Sequence, residues 1–170
     1  MVRQVKCDHA QNTSFRENHE HSEIFMTIDF SSLGDAICQL EKSIGFATSE
    51  MAENDNDLFE QFRNSVIQCF EFTYKLSHKM LARYLEETAA NPEEIDLSTF
   101  QNIIRIGNEK NLLRSDWSVW RDYRQARTNS SHTYNRSKAE AVYEISFDFL
   151  VEAKYLYQQL VERSAKNAAD

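Results

Sequence analysis

Residues that break helices are nearly absent: the 170-residue chain contains 3 Gly and 1 Pro. Long stretches are instead rich in Glu, Gln, Lys, Ala, Leu and Arg, which lose little side-chain freedom in a helix, so composition points to an all-α fold with no strand signal. Cysteine is also scarce. Cys7, Cys38 and Cys69 are odd in number, far apart and without a C-x-x-C spacing, which suggests neither a disulfide framework nor a zinc site. A reducing cytoplasm is the expected location. No apolar run approaches the ~20 residues needed to span a bilayer, and the N-terminus lacks the apolar core of a signal peptide. Positive charge is in deficit as well, with 19 Lys and Arg against 27 Asp and Glu for a net charge of −8. That balance argues against a protein that coats nucleic acid.

The deficit is not uniform. Between Arg114 and Lys138 stand six basic residues (Arg114, Arg121, Arg124, Arg127, Arg136, Lys138) and two acidic ones (Asp116, Asp122). This stretch is net +4 and leaves −12 on the remainder. A phosphate-binding surface is expected there. The 41% hydrophobic content is enough for one domain with its own core.

Residues 1–28 are polar and aperiodic, as in a mobile tail, with Met26 as an alternative start. His19-Glu-His21 lies in this tail, but two ligands at i and i+2 fall short of a complete metal site. Residues 29–165 carry the helical periodicity. The first helix is expected from Ser31 to Met51, capped by Ser31 or Ser32, with Leu33, Ile37, Leu40, Ile44, Ala47 and Met51 on one face. The second should run from Asp57 to Thr88, with a stripe through Leu58, Phe62, Val66, Cys69, Thr73, Leu76, Met80 and Tyr84. Phe59, Phe70 and Leu81 widen this stripe, so more than one neighbour should pack against it. Asn91-Pro92 interrupts the chain. A short third helix, Ser98 to Lys110, presents Phe100, Ile103 and Ile104. The fourth starts near Ser115 and carries Trp117, Trp120, Tyr123 and Arg127. The last opens at Asn135 or Ser137, where Ser137-x-x-Glu140 reads as a capping box, and should fray after Arg163. An up-and-down antiparallel bundle of four to five helices follows.

Between the last two helices lies Thr128-Asn-Ser-Ser-His132-Thr-Tyr134-Asn135, whose short polar or β-branched side chains favour turns and caps over helix interiors. Arg127 and His132 are five apart, about 140° around a continuous helix, so they converge only if the helix ends or widens between them. Arg holds two phosphate oxygens at once, and His moves a proton near neutral pH. In RNA the adjacent 2′-hydroxyl is the nucleophile, so phosphodiester cleavage needs no metal and no cofactor. Such cleavage profits from both an acid and a base, while the segment offers one histidine. A two-fold homodimer would bring two copies to one cleft. Arg121, Arg124, Arg136 and Lys138 are the candidate RNA-binding cations. The spacing alone leaves open that His132 only caps or braces a loop.

Arg127-x4-His132-x-Tyr134, together with Phe70-Glu-Phe-Thr-Tyr-Lys-Leu76, resembles the HEPN superfamily. The likeness is to its HepT-like branch, described as nucleotidyltransferase substrate-binding proteins, and it covers roughly Leu33 to Leu160. The resemblance implies a dimeric, metal-independent ribonuclease toxin in which Arg127 binds the scissile phosphate and His132 is the general acid or base. It also implies a cognate minimal nucleotidyltransferase that silences the toxin by transferring AMP to Tyr134. The alternative is a non-catalytic subunit that presents a substrate to that transferase. Three positions depart from the family pattern: Thr128 follows the motif arginine where Asn or Asp is common, and Lys75 and His78 stand where relatives often carry an acidic residue and a tryptophan. The transferase's own Gly-Ser loop and Asp-x-Asp pair are missing around Gly34, Gly45 and Gly107, so the chain is expected to be the partner of that enzyme.

Overall fold

A computed structural model describes residues 28–96, 99–130 and 135–167. Among these residues the chain forms α1 (Ser31–Ala47), α2 (Glu50–Asn54), α3 (Asn56–Thr88), α4 (Pro92–Asp96), α5 (Phe100–Glu109), α6 (Trp117–Asn129) and α7 (Arg136–Asn167). The fold is an all-α bundle. The tail expected over residues 1–28 lies, but for Ile28, outside the described residues. No helix among them is long and apolar enough to cross a membrane.

Helix α3 is the axis of the molecule and touches each of the other six helices. Its neighbours fix the helix directions. Thr73 Oγ1 donates to the Ala36 carbonyl, and Ser65 lies against Ser43. Rising numbers on α3 therefore meet falling numbers on α1, and the two are antiparallel. Arg63 pairs with Glu140 and Phe70 packs on Phe149, so α3 and α7 run parallel. Trp120 bonds Glu152 and Tyr123 bonds Asp148, so α6 opposes α7. The four long elements thus alternate in direction, the up-and-down arrangement that the periodicity predicts.

The core is aromatic at its centre. Phe149 meets Phe70 at 5.1 Å, Tyr123 at 5.0 Å and Trp120 at 6.0 Å between ring centroids, all edge to face. This geometry sets ring edges against the negative ring faces and contributes about 0.5–1.5 kcal/mol per pair beyond area burial. A carboxylate is fully enclosed beside it. Glu152, 1% exposed, accepts at Oε1 from the Arg114 N–H (3.0 Å), the Ser115 N–H (3.4 Å) and Trp120 Nε1 (3.3 Å), and at Oε2 from the Ser115 hydroxyl (2.7 Å). It ties the connection before α6 to α7.

Several helix ends differ from those predicted. The first helix stops at Ala47 because Thr48 Oγ1 bonds back to the Ile44 carbonyl and Ser49 accepts from Ala52 N, starting α2. Met51, expected on the buried face, is 59% exposed. Neither Ser31 nor Ser32 caps α1; Asp29 Oδ1 instead accepts the Ser31 N–H at 2.8 Å. At α7, Asn135 wins over Ser137, because Asn135 Oδ1 takes both the Lys138 N–H and the Ser137 hydroxyl. Glu140 is drawn to Arg63 at 3.4 Å rather than into a capping box. Helix α7 continues past Arg163 to Asn167. The unexpected α4 starts on Pro92, a residue suited to the first helical position, with Glu93 and Glu94 in the favourable first turn. Among the described residues Cys69 is a free thiol.

Candidate nucleic-acid site

Helix α6 is anchored through its buried face, Trp120, Tyr123 and Ala126, and its opposite face is left to polar groups. It ends at Asn129, and α7 begins at Arg136, so the helix break expected between Arg127 and His132 is present. Ser130 closes the last turn, its hydroxyl oxygen 2.7 Å from the Arg127 carbonyl oxygen. Ser131, His132, Thr133 and Tyr134, with the motif's histidine and tyrosine among them, lie outside the described residues.

Arg127 stands in the final turn of α6, where the helix dipole favours a cation. Its Nη1 is 3.1 Å from Glu71 Oε1 of α3. The same carboxylate oxygen accepts a hydrogen bond from Ser130. Glu71 therefore holds the arginine and the end of its helix together. One Nη1 contact occupies only part of a five-donor guanidinium fork.

Beside Arg127 opens a cleft of about 410 Å³ lined by Tyr74, Lys75, His78, Phe100, Arg124 and Arg127, with Thr128 at its edge. Glu71, Tyr74, Lys75 and His78 fall at i, i+3, i+4 and i+7, one face of α3. Arg124 sits over the Phe100 ring at 4.9 Å, a cation–π contact. The His78 ring stacks on Phe100 at 4.6 Å, and Tyr74 stacks on it at 6.1 Å. Burial pushes the Tyr74 hydroxyl up to about 12 against the pull of Arg124 and Arg127, so it stays protonated at neutral pH. Burial, then the Arg124 charge, holds His78 below the usual imidazole range, so its neutral form is favoured. The cleft thus joins cations with flat rings in an otherwise acidic chain. This is the combination that binds phosphates and bases of single-stranded nucleic acid.

Of the predicted cations, Arg124 and Arg127 come together here. Arg121 is not in the cleft and pairs with its neighbour Asp122 at 3.8 Å. Arg136 and Lys138 stand in the first turn of α7, away from the cleft lining. Sequence reading placed Phe100 on a core face and Glu71 and Tyr74 only within the family-like block of the second helix, and gave none of the three a place in the site. The available signal was the polar face that Glu71, Tyr74, Lys75 and His78 make on an otherwise core-forming helix.

Residues 28–162 match the family described as nucleotidyltransferase substrate binding protein like. The chain belongs to that family. It is 43% identical over 98 residues to a Haemophilus influenzae protein called probable ribonuclease HepT. That match covers 58% of this chain and 66% of the relative, just under two thirds of the relative's length. A solved Haemophilus influenzae structure, described as the fold of a substrate binding domain of a nucleotidyltransferase, superposes with a TM-score of 0.73 and 34% identity. The superposition covers 78% of this chain and 98% of that one. The bundle and the motif therefore define a HepT-like member of this family.

Proposed function

We propose that the chain is a HepT-like endoribonuclease toxin that works without a metal ion at a cleft between two copies of itself. In this reading a cognate minimal nucleotidyltransferase neutralises it by transferring AMP to Tyr134. The observation that carries the proposal is Arg127, pinned by Glu71 at the mouth of a cationic and aromatic cleft. It stands on a helix that ends two residues later, ahead of His132. The relative called a probable ribonuclease supports the same class of reaction.

In the proposed reaction the ribose 2′-oxygen attacks the adjacent phosphorus and loses its proton. The P–O5′ bond breaks, and the leaving oxygen gains a proton. The products are a 2′,3′-cyclic phosphate and a 5′-hydroxyl. Arg127 stabilises the charge that builds on the non-bridging oxygens, and His132 carries one proton as acid or base. His132 of a second copy supplies the other transfer across the two-fold axis. AMP on Tyr134 would place a bulky anion near Arg127, filling the cleft and pairing with its charge.

The purified chain should cut RNA, and Arg127→Ala or His132→Ala should each remove the cleavage and the growth inhibition while the fold persists. With the transferase and ATP, the chain should gain the mass of AMP, and Tyr134→Phe should not. Retained mass gain in that variant would place the acceptor elsewhere.

A second reading is favoured by the family's own description as substrate-binding. In it Arg127 and His132 bind rather than cut, and RNA stays intact with the pure dimer.

A further inference from the structure

Lys75, His78, Phe100 and Arg124 have no part in the bond-making steps just described, yet they line the same cleft as Arg127. Lys75 and His78 come from α3, Phe100 from the first residue of α5 and Arg124 from α6. Three separate elements therefore deliver one flat, cationic corner.

Phe100 is contacted by the His78 ring at 4.6 Å and by the Arg124 guanidinium at 4.9 Å. Imidazole and guanidinium are planar groups on which a base can stack, and an arginine plane serves as well as an aromatic ring. His78 also carries unspent hydrogen-bonding capacity. Its Nε2 is shielded from water without a partner, and no protein hydrogen bond to the ring occurs among the described residues. That nitrogen is closed to a ligand as it is to water, which leaves Nδ1 as the ring atom able to meet one. In a neutral imidazole Nδ1 is a donor or an acceptor according to the tautomer, and either can read one position of a base edge. The phosphate side of the site is served differently. Arg124 and Arg127 are three apart on α6, neighbours on one helix face at ~5–6 Å between β-carbons, so they suit adjacent phosphates of one strand. Lys75 adds a third cation, and its side chain is exposed.

We infer that this corner is a nucleotide subsite next to Arg127: Arg124 and Lys75 take the phosphate adjoining the scissile one, and the base lies against the Arg124–Phe100–His78 array, where His78 reads its edge. The inference rests on the proposal that single-stranded RNA enters the Arg127 cleft. It assigns the sequence preference of the protein to His78, a position outside the Arg-His-Tyr motif.

The test uses the full chain carrying His132→Ala, so that the RNA stays whole, and fluorescein-labelled hexanucleotides of A, C or U read by anisotropy over a range of salt. The parent should prefer one base by about fivefold or more, within the range that base–protein contacts supply. His78→Phe keeps a flat ring but no hydrogen bond, and should compress that preference to within about twofold while leaving the salt dependence unchanged. Lys75→Ala should do the reverse, lowering the slope of log K against log salt by about 0.7 with the base preference intact. Dissociation constants in both variants equal to the parent's for every hexanucleotide and salt would overturn the subsite. The two proposals fail separately. A chain with native His132 that cuts RNA, while both variants bind as the parent does, keeps the ribonuclease and loses the subsite. A chain that cuts nothing yet shows this double pattern of binding keeps the subsite and loses the ribonuclease.

Discussion

Replacing Glu152 by alanine should be among the most damaging single changes in the bundle, and replacement by glutamine among the mildest for a buried carboxylate. Three N–H donors converge on Oε1, and the Ser115 hydroxyl alone reaches Oε2. Alanine removes the acceptor for all four and leaves Trp120 Nε1, on a fully buried side chain, without a partner. An unsatisfied buried donor costs about 1–3 kcal/mol, and breaking a buried charged network about 3–5 kcal/mol in all. Glutamine fits differently. Its oxygen takes the Oε1 position and keeps the three N–H bonds. Its amide nitrogen takes the Oε2 position and donates to the serine hydroxyl, which turns to accept. Only charge assistance is lost, about 1 kcal/mol. Urea titration should show the alanine variant with a midpoint lowered in proportion to ~3–5 kcal/mol at constant m-value. The thermal midpoint should fall by roughly 10 °C for alanine and roughly 3 °C for glutamine in a chain of this size. Equal losses in the two variants, or an alanine loss under about 1 kcal/mol, would refute the assignment of distinct roles to the two oxygens.

Gly45 and Gly107 should respond oppositely to alanine. A Cβ at Gly45 meets nothing within 4 Å, so the helix gains about 0.5–1 kcal/mol, whereas at Gly107 it lies 3.1 Å from both Leu81 methyls in a packed core and should cost about 1–3 kcal/mol, as thermal unfolding of the pair would show. His78 should make stability pH-dependent. Its folded pKa is below the unfolded value near 6.5, so the unfolded chain binds more protons and stability is lost as pH falls from 6.5 toward the folded value. The stability of His78→Phe relative to the parent should therefore rise between pH 7 and pH 5.5, and parallel urea midpoints at the two pH values would contradict the shift. Glu71→Gln should leave stability within about 1 kcal/mol, because the Glu71–Arg127 pair is partly exposed. RNA cleavage should nevertheless fall about ten- to a hundredfold in kcat, since the arginine loses the partner that aims it; an unchanged kcat would show that Arg127 needs no such support.

Helix identity was legible because burial follows the 3.6-residue period: Leu33, Ile37 and Leu40 on α1, and Val142, Phe149, Ala153, Leu156 and Leu160 on α7, are buried as their spacing predicts. Helix ends were less legible, since the choice between Asn135 and Ser137, or between continuing and stopping at Thr48, rests on single side-chain hydrogen bonds. On α3 the buried face turns toward Ile67, Tyr74, Ser77 and Leu85, away from Leu58, Phe62 and Leu76, which are half-buried. An axis helix with neighbours on several sides has no single stripe to read. Glu152 looked like one more charged residue, although it falls between Phe149 and Ala153 on an apolar face. In the site, the basic stretch and the helix break around Arg127 could be read from local pattern. Its pairing with Glu71 and the cleft shared with Lys75, His78 and Phe100 could not, because these join helices distant in sequence and no local spacing reports them.

In the proposed function Arg127 and His132 make this chain a nuclease. That role is tested most directly by incubating the purified chain, Arg127→Ala and His132→Ala with single-stranded RNA in the presence of a metal chelator and analysing the product ends. Cleavage by the parent alone, leaving 2′,3′-cyclic phosphate and 5′-hydroxyl termini, is the predicted result. Intact RNA with the parent, or undiminished cleavage by either correctly folded variant, would contradict it.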